Sequence, residues 1–197
     1  MIASIYSKSD TRLRVAQLAA FAIFICTTLV SAEAAAPPVK DTYVTLTLPG
    51  VIGNFTTIPN APANAIEVYS ISAGASCPSF GTTTCTTPNI AAISLAKAVD
   101  DASPKLFLAL ATGVTYTNAV INFWLAPTSG TNYTKTYTIY LTKANLQSVQ
   151  ISGSEGGSPL ESLSLGFATI AFQDNLNGAV GCYNVSTKAS SGTAITC

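Results

Sequence analysis

The sequence predicts a mainly β domain: a barrel or two packed antiparallel sheets of about seven to eight strands, with one short buried α-helix at about 104–112. Three observations carry this. Apolar and polar residues alternate with a period of two, most cleanly where Tyr133, Lys135, Tyr137, Ile139 and Leu141 interleave with Thr134, Thr136, Thr138, Tyr140 and Thr142. Clusters of Gly, Pro, Asn and Ser divide the alternating runs. Helix signals gather in one place. Ser103 offers a side-chain cap for the first turn, Pro104 sits where a missing N–H costs nothing, and Gly113 supplies the left-handed residue that ends the last turn. Between them Leu106 to Ala111 are apolar on every side, so this helix is expected to be covered over most of its surface.

In chain order, residues 1–34 read as an export signal. Lys8, Arg12 and Arg14 precede an apolar run from Val15 to Val30, and Val30-Ser31-Ala32 and Ala32-Glu33-Ala34 are small-x-small cleavage sites. The run is short for a membrane span and is interrupted by Gln17, so no membrane association is expected after cleavage. Cys26 follows Ile25 rather than a small residue, which argues against a lipid anchor, and it leaves with the signal. Residues 35–40, with Pro37-Pro38, form an extended leader; 41–174 form the β domain and 175–197 a tail.

Tyr43–Leu48 alternates and is the first strand, stopped by Pro49-Gly50. Ile66–Gly74 is the second, and its apolar phase slips between Val68 and Tyr69, as at a bulge. Cys77 to Asn89 is a Ser/Thr/Pro loop, and Ile93, Leu95 and Val99 mark the strand that leads into the helix. Tyr116–Leu125 and the Tyr133–Thr142 run form a hairpin about Thr128-Ser129-Gly130-Thr131. Val149 and Ile151 mark a further short strand, and after the Gly-rich loop Ser152–Ser158 one long strand runs from Glu161 to Phe172. Gly178, Gly181 and Gly192 make the tail read as irregular.

Charge and cysteine usage narrow the function. After cleavage at Ala34 six lysines face seven acids, a net charge of −1, with no arginine and no histidine. Such a chain has no basic stripe for phosphates, so nucleic acid is not a partner. Cys77, Cys85, Cys182 and Cys197 remain, an even number behind an export signal, which points to disulfides and a secreted or periplasmic location. Three connectivities are open; the local one, Cys77–Cys85 with Cys182–Cys197, is adopted here. Without histidine, and with spacings unlike zinc ribbons, neither a metal nor a cofactor is expected.

The same residues exclude the common catalytic arrangements. Ser94-Leu95-Ala96-Lys97 fits a Ser-x-x-Lys string, but in a strand residues three apart face opposite sides. Gly153-Ser154-Glu155-Gly156-Gly157 lacks the Lys-Ser/Thr sequel of a phosphate loop and reads as a turn. Asp100-Asp101 precede a helix start, where their charge meets the helix dipole favourably. Asn54, Asn132 and Asn184 head glycosylation-type triplets, read as chance in so Thr-rich a chain; Trp124 reads as core or interface rather than a sugar platform. No catalytic residues are assigned, and the protein is not read as an enzyme.

Lys97-Ala98-Val99-Asp100-Asp101-Ala102-Ser103-Pro104-Lys105-Leu106, followed by Ala111-Thr112-Gly113, resembles the haemolysin-coregulated protein (Hcp) family of type VI secretion. Ile66-Glu67-Val68 with the following Ser-x-Ser-x-Gly, and Pro159-Leu160-Glu161-Ser162-Leu163-Ser164-Leu165, fit the same family in the same order, from about Asp41 to Gln173. The tail has no counterpart in the pattern. The resemblance implies a homo-oligomer, a hexameric ring that stacks into tubes, in which the loop holding Cys77 and Cys85 reaches toward the next ring. It leaves other secreted or secretion-system proteins as further partners. Tube subunits of that family assemble in the cytosol without a cleavable signal, so the leader read here points to a periplasmic or extracellular duty. The alternative is a secreted monomeric binding module or effector on the same barrel.

Overall fold

The computed structural model describes residues 41–78, 85 and 88–197; the export signal and leader, and most of the loop tip between Cys77 and Asn89, lie outside the described residues. Among the described residues, twelve strands and one helix follow in order: β1 (Thr42–Thr47), β2 (Ile66–Val68), β3 (Ser70–Ser72), β4 (Ala75–Ser76), β5 (Asn89–Ile90), β6 (Ile93–Ala98), α1 (Ser103–Thr112), β7 (Thr115–Leu125), β8 (Thr134–Ser152), β9 (Leu160–Gly166), β10 (Thr169–Asp174), β11 (Val180–Asn184) and β12 (Ser190–Ser191). All pairings are antiparallel. Ten strands share one sheet, and β4–β5 form a separate two-stranded arm.

The large sheet turns back on itself through β8. In one direction β8 is followed by β7, β1 and β2; in the other, by β9, β6 and β3. The two ends meet in one stretch of chain, because β2 and β3 are separated by Tyr69 alone. The phase slip at Val68/Tyr69 is therefore a change of partner: Ile66–Val68 pairs β1, and Ser70–Ser72 pairs β6. No ladder joins β2 to β6; the Tyr69 N–H donating to the Ala96 carbonyl at 2.7 Å bridges the gap.

β8 does the same on a larger scale. The sequence pattern suggests a strand to Thr142 and a separate one at Val149; the structure has one 19-residue strand. Tyr137–Thr142 pairs β10, and Asn145–Ser152 pairs β9. Lys143 lies at the change, with φ of 48°, a left-handed corner that a residue with a Cβ adopts at some cost. Conversely, the long strand expected from Glu161 to Phe172 is two, because Phe167 and Ala168 carry the chain from one partner segment of β8 to the other.

Leu46, Ile66, Ile93, Leu95, Leu106, Ile121, Leu141, Leu163 and Leu165 fill the main core. A second cluster, Tyr43, Phe55, Ile58, Ala65 and Trp124, lies beneath the 51–64 loop. Trp124 is buried there, its indole N–H donating to Thr45 Oγ1 at 2.9 Å.

Two expectations are corrected. The helix is not covered on most of its surface: Ser103, Leu106 and Ala109 are buried, whereas Phe107 and Leu108 are each 59% exposed. With apolar residues all round, the sequence could not say which side meets the core. Nor is the tail irregular. Val180–Asn184 adds a strand to β10 over five register pairs, and β12 adds a short one to β11. Of the glycines that made the tail read as irregular, Gly178 serves a turn, with φ of 74°, and Gly181 lies within β11.

Candidate functional site: a buried ion pair below the helix start

The Lys-x-x-Asp-x-x-Ser-Pro segment and the later Pro-x-Glu meet in one place. On β6, Ile93 and Leu95 point inward, and the same phase carries Lys97 inside; on β9, Leu163 and Leu165 do so, and the phase carries Glu161 inside. The two are direct cross-strand partners, both fully buried, with Lys97 Nζ 2.8 Å from Glu161 Oε2. The three N–H groups of the ammonium are shared among four acceptors, the others being Asp100 Oδ1 at 2.7 Å, Ser103 Oγ at 3.0 Å and the Ala98 carbonyl at 2.6 Å. Ser103 Oγ donates to Glu161 Oε2 at 2.7 Å and accepts the Asp100 N–H at 3.1 Å. Glu161 Oε1 is buried and accepts nothing among the described residues.

This geometry reassigns two motif residues. Ser103 is not the helix cap: the N-cap is Ala102, with no side-chain cap bond, and the Ser103 hydroxyl serves the ion pair. Asp100 does not sit in the first turn, which contains no acid; its carboxylate takes the Ala102 N–H at 3.0 Å and the Lys97 ammonium. A buried cation with several oxygens around it outcompetes a lone helix amide for those acceptors. Pro104 lies in the first turn, Lys105 is exposed with a 3.4 Å bond to the Gly50 carbonyl, and Gly113 closes the helix at φ of 67°. Sequence reasoning missed Lys97 and Glu161 as a pair. The available signal was one charge of each sign in the inward phase of two apolar strands.

Such a cluster pins the chain segments that meet in it. A one-residue slip of β6 on β9 would separate both charges and turn the inward set outward, so the pair fixes register and ties it to the helix start. All hydrogen-bonding capacity of the ammonium is committed, and Lys97 has no exposed surface from which to meet a substrate.

The opposite face of the same strands is different. Ser72, Ser94, Ser164 and Ser148 form one row across β3, β6, β9 and β8, and Ser70, Ala96, Ser162 and Gln150 form the next. Together they line a shallow groove of about 480 Å³ without a single charge. Pro49, Val51, Leu108, Ala109, Val114 and Tyr116 line a separate, open and largely apolar hollow of about 370 Å³. Burial there raises the Tyr116 phenol above its ordinary value. The cysteines are apart from all of this: Cys77 is bonded to Cys85 beyond the β4–β5 arm, and Cys182 to Cys197 at the end of the chain.

Among the described residues the fold is thus a self-returning antiparallel sheet with one helix docked by a single face and a solvent-excluded ion pair at its start. The family model for the type VI secretion system effector Hcp matches residues 45–173, and the chain belongs to that family. No curated protein matches the chain. Among solved structures, the chain is similar to Hcp1 from Salmonella typhimurium, with 20% identity, a TM-score of 0.66, and coverage of 77% of this chain and 100% of that one. A structure described as a type six secretion system protein is similar at 20% identity and TM-score 0.63, covering 76% and 99%. The secreted protein Hcp3 from Pseudomonas aeruginosa is similar at 18% identity and TM-score 0.57, covering 73% and 96%. These shares of the chain exceed what residues 45–173 account for, so the likeness in fold runs past the family span.

Proposed function

We propose that this chain is an exported, non-catalytic Hcp subunit that self-associates into rings, six-membered by family resemblance, which stack into tubes. Family membership supports this most directly, with the residues quoted above meeting in one buried cluster. The surface supports it as well. Phe107 and Leu108 project from α1 and Ile52 and Val114 are exposed beside it, a surface that a neighbouring copy can cover. The uncharged serine groove suits a wetted bore, since it offers nothing for a charged molecule to adhere to. A contact that differs on the two partners closes into a ring, and the repeated ring face supplies the second contact along an axis.

Export and disulfides belong to the same proposal: the bonded Cys77–Cys85 and Cys182–Cys197 pairs suit an oxidising compartment outside the cytosol. The experiment is size-exclusion chromatography with light scattering on protein recovered from that compartment, with intact mass locating its N-terminus. A particle several times the monomer mass supports the reading. A monomer at every concentration favours the secreted binding module instead.

A further inference from the structure

We propose that Cys182–Cys197 is a thiol-sensitive clip holding the last strand of the sheet shut over the edge of β11. β12 is two residues long and meets β11 in only two register pairs, Cys182↔Ser191 and Tyr183↔Ser190. β11 itself is held to β10 by five. A hairpin of two pairs is marginal without further support.

The turns preceding the two strands show the same contrast. Asp174 and Asn184 each accept, on Oδ1, the N–H groups two and three residues ahead, and each donates its own N–H to a carbonyl five residues on at 2.8 Å. Both turns need a left-handed residue at the fifth position. The first has Gly178, at φ of 74°; the second has Lys188, at φ of 59°. Glycine takes that conformation freely, whereas a residue with a Cβ does not. Between β12 and the bonded Cys197 the described residues form no further ladder. The weaker turn and the shorter ladder thus fall together, and the covalent bond lies where they do.

Access decides the chemistry. Cys182 is buried and Cys197 exposed. An incoming thiolate attacks the Cys197 sulfur, forming a mixed disulfide there, and Cys182 leaves as a thiolate that takes up a proton. The second thiol of a dithiol reductant then attacks the mixed disulfide, releasing the Cys197 thiol and oxidising the reductant to its own disulfide. Residues from about 186 onward let go, while β11 stays on β10 with its outer edge unpaired, a surface open to strand addition. In an oxidising compartment the edge is closed.

This rests on the tail alone and holds whether or not rings form. The test uses a Cys77→Ser/Cys85→Ser variant, in which only the clip can be reduced, and hydrogen exchange read by mass spectrometry with and without dithiothreitol. Exchange of residues 186–191 is expected to rise about 100-fold on reduction, with β7 and β8 unchanged. Lys188→Gly is expected to slow the reduced segment about fivefold. Equal exchange in the two states would overturn the proposal, as would a bond that dithiothreitol leaves intact. A rise that spreads to β7 and β8 would also do so, because the disulfide would then be a staple for the whole domain.

Discussion

Lys97 and Glu161 face each other across β6 and β9, both out of reach of solvent. Each continues the inward phase of an apolar strand, Ile93-x-Leu95-x-Lys97 and Glu161-x-Leu163-x-Leu165, yet nothing local says that the two strands are neighbours. Removing one partner leaves a buried charge uncompensated. Lys97→Met is expected to cost about 3–5 kcal/mol in urea unfolding, whereas Lys97→Met with Glu161→Leu recovers most of it. A single variant as stable as the parent would show that the pair pins nothing. Asp174 is a different case, on the surface. Its carboxyl is held below the ordinary 3.8, first by the Asn177 side chain and then by the Leu176 and Asn177 amides. The unfolded chain therefore takes up the proton at higher pH than the folded turn. The contribution of this group is complete above the unfolded value and is lost as pH falls through the folded one. Asp174→Asn, which keeps the acceptor oxygen, is expected to abolish that acid-side change in the turn's NMR shifts.

Among the elements, those set by alternation were read correctly: β1, β6, β7 and the start of β8 lie within a residue or two of their expected places. The misreadings share a cause. A strand that changes partner at Lys143, or two strands joined through Phe167 and Ala168, differ in pairing and not in local pattern. Likewise Lys188 hides a left-handed turn that glycine would have announced. The helix was found from Pro104 and Gly113, but its orientation was not, because Phe107 and Leu108 look as apolar as Leu106. Leu106→Ala is expected to cost about 2–5 kcal/mol in denaturant unfolding, against less than about 1 kcal/mol for Phe107→Ala. Phe107→Ser with Leu108→Ser is expected to leave the fold intact and weaken self-association at least tenfold, read by sedimentation. An unchanged association would move the contact elsewhere. In the 51–64 loop, a Cβ on Gly53 would run into the backbone at Ala65, so Gly53→Ala is expected to lower stability by about 1–3 kcal/mol and loosen the loop over Trp124.

For the whole molecule, composition and family motifs lead to one account. The uncharged serine face and the exposed apolar helix face fit the proposed wall and joint. Hcp membership rests on a family model spanning residues 45–173. The central claim is that the chain is a building block. Its most direct measurement is the mass, by light scattering, of the disulfide-intact protein eluting from size exclusion over a wide concentration range. A discrete particle several times the monomer mass is expected; a monomer at the highest concentration would rule out the building-block reading.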